Sequence, residues 1–166
     1  VARKREGSSN LLFAVGDGEG LAFSKHSFDL VVANASFQWM RLGPVMSEVK
    51  RVLRPRGKLL FNTFGPDTLR ELKASHFKVN SFVPGRKIEA ALTQKFNKIK
   101  VKSWYLVQEF GSVRELISHL SEIGAKSSAP ARGGSVFGSI KKYKEKFKVG
   151  DGIYVTFEIV SGQAQA

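Results

Sequence analysis

The stretch FDLVVANASFQWM, residues 28–40, changes character halfway along. Its first six residues are apolar except for Asp29, which predicts a buried strand. From Asn34 onward it sets amide, hydroxyl and aromatic groups at the carboxyl end of that strand. Downstream, Pro44 suits a first helical turn, Val45, Val49, Val52 and Leu53 share one face, and RPRG at 54–57 halts the helix. KLLFNTF at 58–64 predicts the next strand. Upstream, LLFAV at 11–15 reads as a short buried strand that runs into the turn-rich GDGEG at 16–20. Strand, helix, strand in this order predicts an α/β fold with a mainly parallel sheet.

The remainder differs. Pro66 and Asp67 open a short helix carrying Leu69 and Leu72, and Ile88, Ala91, Leu92 and Phe96 mark another. Residues 98–110 are strand-like, with Lys98, Lys100 and Lys102 alternating against Ile99 and Val101, so one face is wet at its start. Ser112 and Glu115 have capping-box spacing ahead of Val113, Leu116, Ile117, Leu120 and Ile123, and Gly124 ends that helix. A Gly/Ser-rich segment, KSSAPARGGS at 126–135, precedes a basic helix with Ile140, Tyr143 and Phe147 on one side. Residues 153–160 predict the last strand.

Composition narrows the classes. A hydrophobic content of 42% over 166 residues suits one globular domain, and no apolar run is long enough to span a bilayer. The chain reads as soluble and cytoplasmic. Without cysteine there is no disulfide, thiolate metal site or cysteine nucleophile, and His26, His76 and His119 show no ligand spacing, so no metal is expected. The net charge of +13 is segregated: residues 1–49 balance five basic against five acidic side chains, and residues 50–166 hold 22 basic against 9 acidic. Such a field favours an anionic partner or substrate. No aromatic-rich basic sheet face or known nucleic-acid motif is present, which argues against nucleic acid.

In open parallel sheets, ligands gather outside the carboxyl ends of the strands, so three strand ends are read together. Asp17 can accept a hydrogen bond from an adenine amino group, with Gly18 admitting a close ring, or it is a solvated turn aspartate. Asn34 can bond a ligand or cap its strand. Phe37 and Trp39 are more often core than a ligand platform.

The order VGDGEGLAFSKHSFDLVVANASFQW, helix, RVLRPRGKLLFNTFGPDTLREL resembles the class I S-adenosylmethionine-dependent methyltransferases. Within them it is most similar to the O-methyltransferases that act on a malonyl carrier protein in biotin synthesis, through NASFQW, TFGPDTLREL, VNSF and SVRELISHLSEIGA. The resemblance implies the C-terminal portion of a Rossmann-like sheet: a core over 1–110 and 151–166, and a helical lid inserted at about 111–150. It implies S-adenosylmethionine as cofactor, with Asp17 and Gly18 bordering its adenine and Asn34 near its methionine part. Gln38, Trp39 and Phe64 would line the acceptor mouth, and Arg132 would hold the acceptor carboxylate. Lys141, Lys142, Lys144, Lys146 and Lys148 would meet an acidic, malonyl-loaded acyl carrier protein. The family's glycine-rich loop and first strand are not found, so this stretch by itself is expected to be inactive, and an apolar sheet edge is expected to invite dimerisation. The alternatives are another small-molecule methyltransferase with the same core, or a non-catalytic basic binding or assembly protein.

Overall fold

The computed structural model describes residues 12–122 and 135–166. Strand β1 (Phe28–Asn34) leads through a single 3-10 turn (Phe37–Trp39) into helix α1 (Leu42–Val52), which passes directly into β2 (Leu53–Phe64). Helices α2 (Arg70–Ala74) and α3 (Gly85–Thr93) precede β3 (Asn97–Phe110). Helices α4 (Val113–Glu122) and α5 (Val136–Lys146) then lead to the short β4 (Lys148–Val149) and the long β5 (Gly152–Gln165).

The strands lie in the order β1-β2-β5-β3, with β4 paired to β5. Strands β1 and β2 are parallel, and β5 runs antiparallel to both β2 and β3. The sheet is mixed: β1, β2 and β3 share a direction, in keeping with the mainly parallel expectation, and β5 is threaded between β2 and β3 in reverse. The strand expected at 11–15 is absent from the described part. Among the described residues, 12–15 pair with no strand, and Leu12 and Val15 are 97% and 94% exposed.

One face of the sheet is closed by α1 and α3. Val45, Met46 and Val49 of α1 and Ile88 and Leu92 of α3 pack on Ala33, Leu59, Phe61, Val160 and Ala164. In α1 the buried positions Val45, Met46, Val49 and Val52 recur at helical spacing, so one stripe meets the sheet while Glu48 and Arg51 remain part-exposed. A second core joins α2, α4 and α5 to the other half of the sheet: Leu72, Leu116, Leu120 and Tyr143 meet Phe110, Ile153, Val155 and Phe157.

Between the cores, β2 stops while β5 continues, and its ladder groups need partners. The segment after β2 supplies them. Gly65 N donates to Glu158 O (2.9 Å), and Leu69 N donates to Thr156 O (2.7 Å). Thr68 Oγ1 accepts from Glu158 N (3.1 Å), and the Glu71 carboxylate accepts from Thr156 N (3.0 Å) and Thr156 Oγ1 (2.6 Å). Glu71 is buried, and these bonds offset the loss of its hydration. Leu69 holds a left-handed φ of 60°, a conformation disfavoured by about 1 kcal/mol, in order to aim its N–H at β5. A Cβ on Gly65 would overlap the Glu158 carboxylate, which would have to shift from Asp67 N.

Candidate active site

Because β1 and β2 are parallel and in register from Leu30 against Lys58 to Asn34 against Asn62, their carboxyl ends fall on one margin. The loop leaving β1 is fastened to β2. Ala35, at φ 46°, donates its N–H to both the backbone oxygen and Oδ1 of Asn62 (3.0 Å each). Gln38 Nε2 donates to Ala35 O (2.6 Å), and Gln38 Oε1 accepts from Thr63 Oγ1 (2.8 Å). Gln38 thus braces the loop, with both ends of its amide engaged. Phe37 is buried against Phe61, ring centroids 5.4 Å apart, whereas Trp39 is 63% exposed at the rim.

A second loop is clasped beside the first. Asp17 Oδ1 accepts from Glu19 N (2.9 Å) and Asp17 O from Gly20 N (3.2 Å), a tight turn. The Glu19 carboxylate takes the N–H (2.6 Å) and Nε–H (2.7 Å) of Arg41. The Arg41 backbone N–H, followed by its side chain, holds the Glu19 carboxyl below the usual carboxylate range. Farther along, Leu21 N donates to Glu48 Oε2 (2.8 Å), while Arg51 bridges Glu48 (2.7 and 2.8 Å) to Leu21 O (2.8 Å) and Phe23 O (2.7 Å). The Arg51 guanidinium lowers the Glu48 pKa and is itself stabilised in its charged form. Gly18 lies so close to Met40 that a Cβ would stand 2.5 Å from its sulfur. Asp17 and Gly18 are therefore seated beside the loop leaving β1. Among the described residues, Asn34's amide and the second carboxylate oxygen of Asp17 have no hydrogen-bond partner, so both can receive a ligand.

A family model described as a methyltransferase domain matches residues 1–61. The malonyl-[acyl-carrier protein] O-methyltransferase of Methylococcus capsulatus is 38% identical over 131 residues, covering 74% of this chain and 48% of that protein. Its namesake in Geobacter sulfurreducens is 32% identical over 171 residues, covering 91% of this chain and 64% of that protein. The YcgJ protein of Bacillus subtilis superposes with a TM-score of 0.59 at 15% identity, covering 90% of this chain and 68% of that one. Residues 1–61 thus match a methyltransferase domain, and the chain has the class I methyltransferase fold. It spans about half the length of the Methylococcus relative.

In this methyltransferase fold, Phe64 ends β2 half-buried, its ring 5.7 Å from Phe82 and 6.2 Å from Phe157. These rings give the margin an apolar wall. Behind it, Asp67 N donates to Glu158 Oε2 (2.9 Å), and Asp67 Oδ2 accepts from Tyr105 OH (2.9 Å). The Asp67 carboxylate raises the Tyr105 pKa. The guanidinium of Arg70 lies over the Tyr105 ring at 5.7 Å, and its Nε reaches Glu71 at 3.2 Å. Sequence reading missed Tyr105, Glu158 and Glu71, because their partners lie 38, 91 and 85 residues away and no local spacing links them. Arg132 lies outside the described residues. No cluster of three His, Asp or Glu side chains able to hold a metal occurs among the described residues, and none of the described helices is long and apolar enough to cross a membrane.

Proposed function

We propose that the chain forms the acceptor side of an enzyme that transfers a methyl group from S-adenosylmethionine to the free carboxylate of a malonyl thioester on an acyl carrier protein. The observation that carries the reading is the shared margin: the free Asn34 amide, the braced β1 loop and the Phe64 wall stand together. The matched relatives, named for this reaction, support the choice of acceptor.

The residues present fit part of a cofactor cradle. Asn34 and Asp17 offer unengaged polar groups at the strand ends, where Asn34 would face the methionine part and Asp17 the adenine. When bound, S-adenosylmethionine supplies an electrophilic methyl group on a sulfonium. A carboxylic acid ordinarily titrates near pH 4, so the acceptor arrives ionised and no base is required of the protein. The work left to this chain is positioning. Gln38, engaged at both ends, fixes the loop from Asn34 to Trp39. Phe64, Phe82 and Phe157 exclude water from one side, and Trp39 would be covered by the acceptor arm. Orientation of this kind contributes on the order of 7–11 kcal/mol to bimolecular reactions.

A chimera in which the first half of the Methylococcus relative precedes this chain tests the proposal. Offered cofactor with malonyl, succinyl and hydroxyacyl thioesters, it is expected to esterify the malonyl carboxylate, seen by mass spectrometry. Preference for a hydroxyl or amine acceptor would overturn the assignment.

A further inference from the structure

Helix α5 presents a surface that methyl transfer leaves unused. One side is anchored: Tyr143 and Ser139 are buried, and Tyr143 OH donates to Tyr154 O at 2.8 Å. On the opposite side Phe137, Lys141 and Lys144 follow at intervals of four and three residues, and Lys148 continues the line just past the helix end. Those intervals place Phe137, Lys141 and Lys144 on one stripe, and Lys148, in β4, lines one hollow with Lys144. All are exposed, and Phe137 is 77% exposed, the most of any described aromatic side chain among the large exposed hydrophobics.

Lys142 does not belong to the stripe, since its Nζ lies 2.6 Å from Nε2 of His76. Charge on the stripe is barely neutralised. Glu145 reaches only Lys141, at 3.9 Å. A phenyl ring set among lysines departs from an ordinary solvated helix face, for protein interfaces favour aromatic anchors and use the surrounding charge to steer encounter. The stripe contains no arginine, the side chain that reads bases and clamps phosphates with two bonds, so it suits a protein better than a nucleic acid.

We infer that this stripe docks an acidic protein, with Phe137 entering an apolar notch and Lys141, Lys144 and Lys148 facing carboxylates. Resting on the function proposed above, that protein is the acyl carrier. The location is compatible: α5 packs in the same core that Phe64 borders. The basic excess of residues 50–166 adds long-range attraction.

Binding of the 166-residue chain to immobilised, unloaded acyl carrier protein, followed by interferometry at low and at physiological salt, tests the inference without requiring methyl transfer. The variant K141E/K144E/K148E is expected to slow association about tenfold at low salt, and F137S to speed dissociation. The control K25E/K87E/K95E, with the same change in net charge elsewhere, is expected to alter association less than about threefold. Circular dichroism checks folding, and a lysine-to-glutamine triple replaces the charge reversal should that fail to fold. Equal loss in both triples, no loss in either, or no carrier binding by the unaltered chain each overturns the inference, as does retention on random DNA that carrier protein cannot compete away. Stripe-dependent carrier binding together with a chimera that methylates another acceptor would sink only the reaction assignment.

Discussion

The two faces of the sheet are made by alternate residues of the same strands, yet over β1, β2 and the carboxyl end of β5 one is closed and the other open. On the closed face Val31, Ala33, Leu59 and Phe61 meet α1 and α3. On the other, register aligns Leu30 with Lys58, Val32 with Leu60 and Asn34 with Asn62, and β5 and β3 continue those rows as Gln165, then Gln163 with Lys100, then Ser161 with Lys102. Val32 is 63% and Leu60 38% exposed there, in a hollow of about 660 Å³. The open face is thus apolar over β1 and β2 and basic over β3. Alternation of polar and apolar residues marks a face built for water; β1 lacks it, and Leu30, Val32 and Leu60 together form a surface suited to being covered.

The largest effect should separate the faces directly. Leu59→Ala is expected to destabilise the chain by about 2–5 kcal/mol, as buried leucine truncations do, and Leu60→Ala by less than about 1 kcal/mol, both read from denaturant midpoints. Equal losses would mean that the open face is filled in solution. Next, Gly65→Ala should lower stability by about 1–3 kcal/mol through the overpacking of Glu158, and a paired Gly65→Ala/Glu158→Gln change should recover little, because the side chain stays the same size. Third, Leu30→Lys with Val32→Lys should abolish apolar-dye binding and any concentration-dependent self-association through the β1 edge, with the thermal midpoint nearly unchanged. If dye binding persists, the reactive surface lies elsewhere, with Trp104 to Val107 of β3 the first place to look.

The smallest effect concerns pH. Glu19 and Glu48 have folded pKa values below the ordinary one, so their stabilisation is present above the usual carboxylate range and is lost as pH falls through the lowered values. Protection of the Leu21 N–H, measured against the intrinsic exchange rate at each pH, should therefore be lost on acidification below the usual carboxylate range while the β2 amides remain protected. Simultaneous loss of both would show that the clasp and the sheet melt as one unit.

Much of the architecture is legible from local pattern. The helix at Val45–Val52 spacing, the strand through Leu59 and Phe61, and the cap at Ser112, whose Oγ accepts from Glu115 N at 3.2 Å, all follow from periodicity or from short-range hydrogen bonding. Long-range pairing is not local. Nothing in residues 152–165 announces that they will lie antiparallel between β2 and β3, and the apolar run at 12–15 resembles a strand in composition while pairing with no strand among the described residues. At the site, the strand ends holding Asn34 and Phe64 were readable from sequence. Gln38 was expected to face the acceptor, and the structure adds that its amide already braces Ala35 and Thr63.

The segment from Gly65 to Glu71, which completes the ladder of β5 where β2 ends, also settles how force passes through the molecule. A helical layer hung on a slack connection would swing like a flap. Here α2 is stitched to β5 by backbone and side-chain bonds at Glu158 and Thr156, with Tyr105 and Asp67 as an outer rivet. Because α5 packs in the same core as α2, the bonds that fix α2 to β5 also fix where α5 sits relative to the turn after Phe64. A partner leaning on the outer surface would then be felt at the acceptor wall without any hinge opening between them.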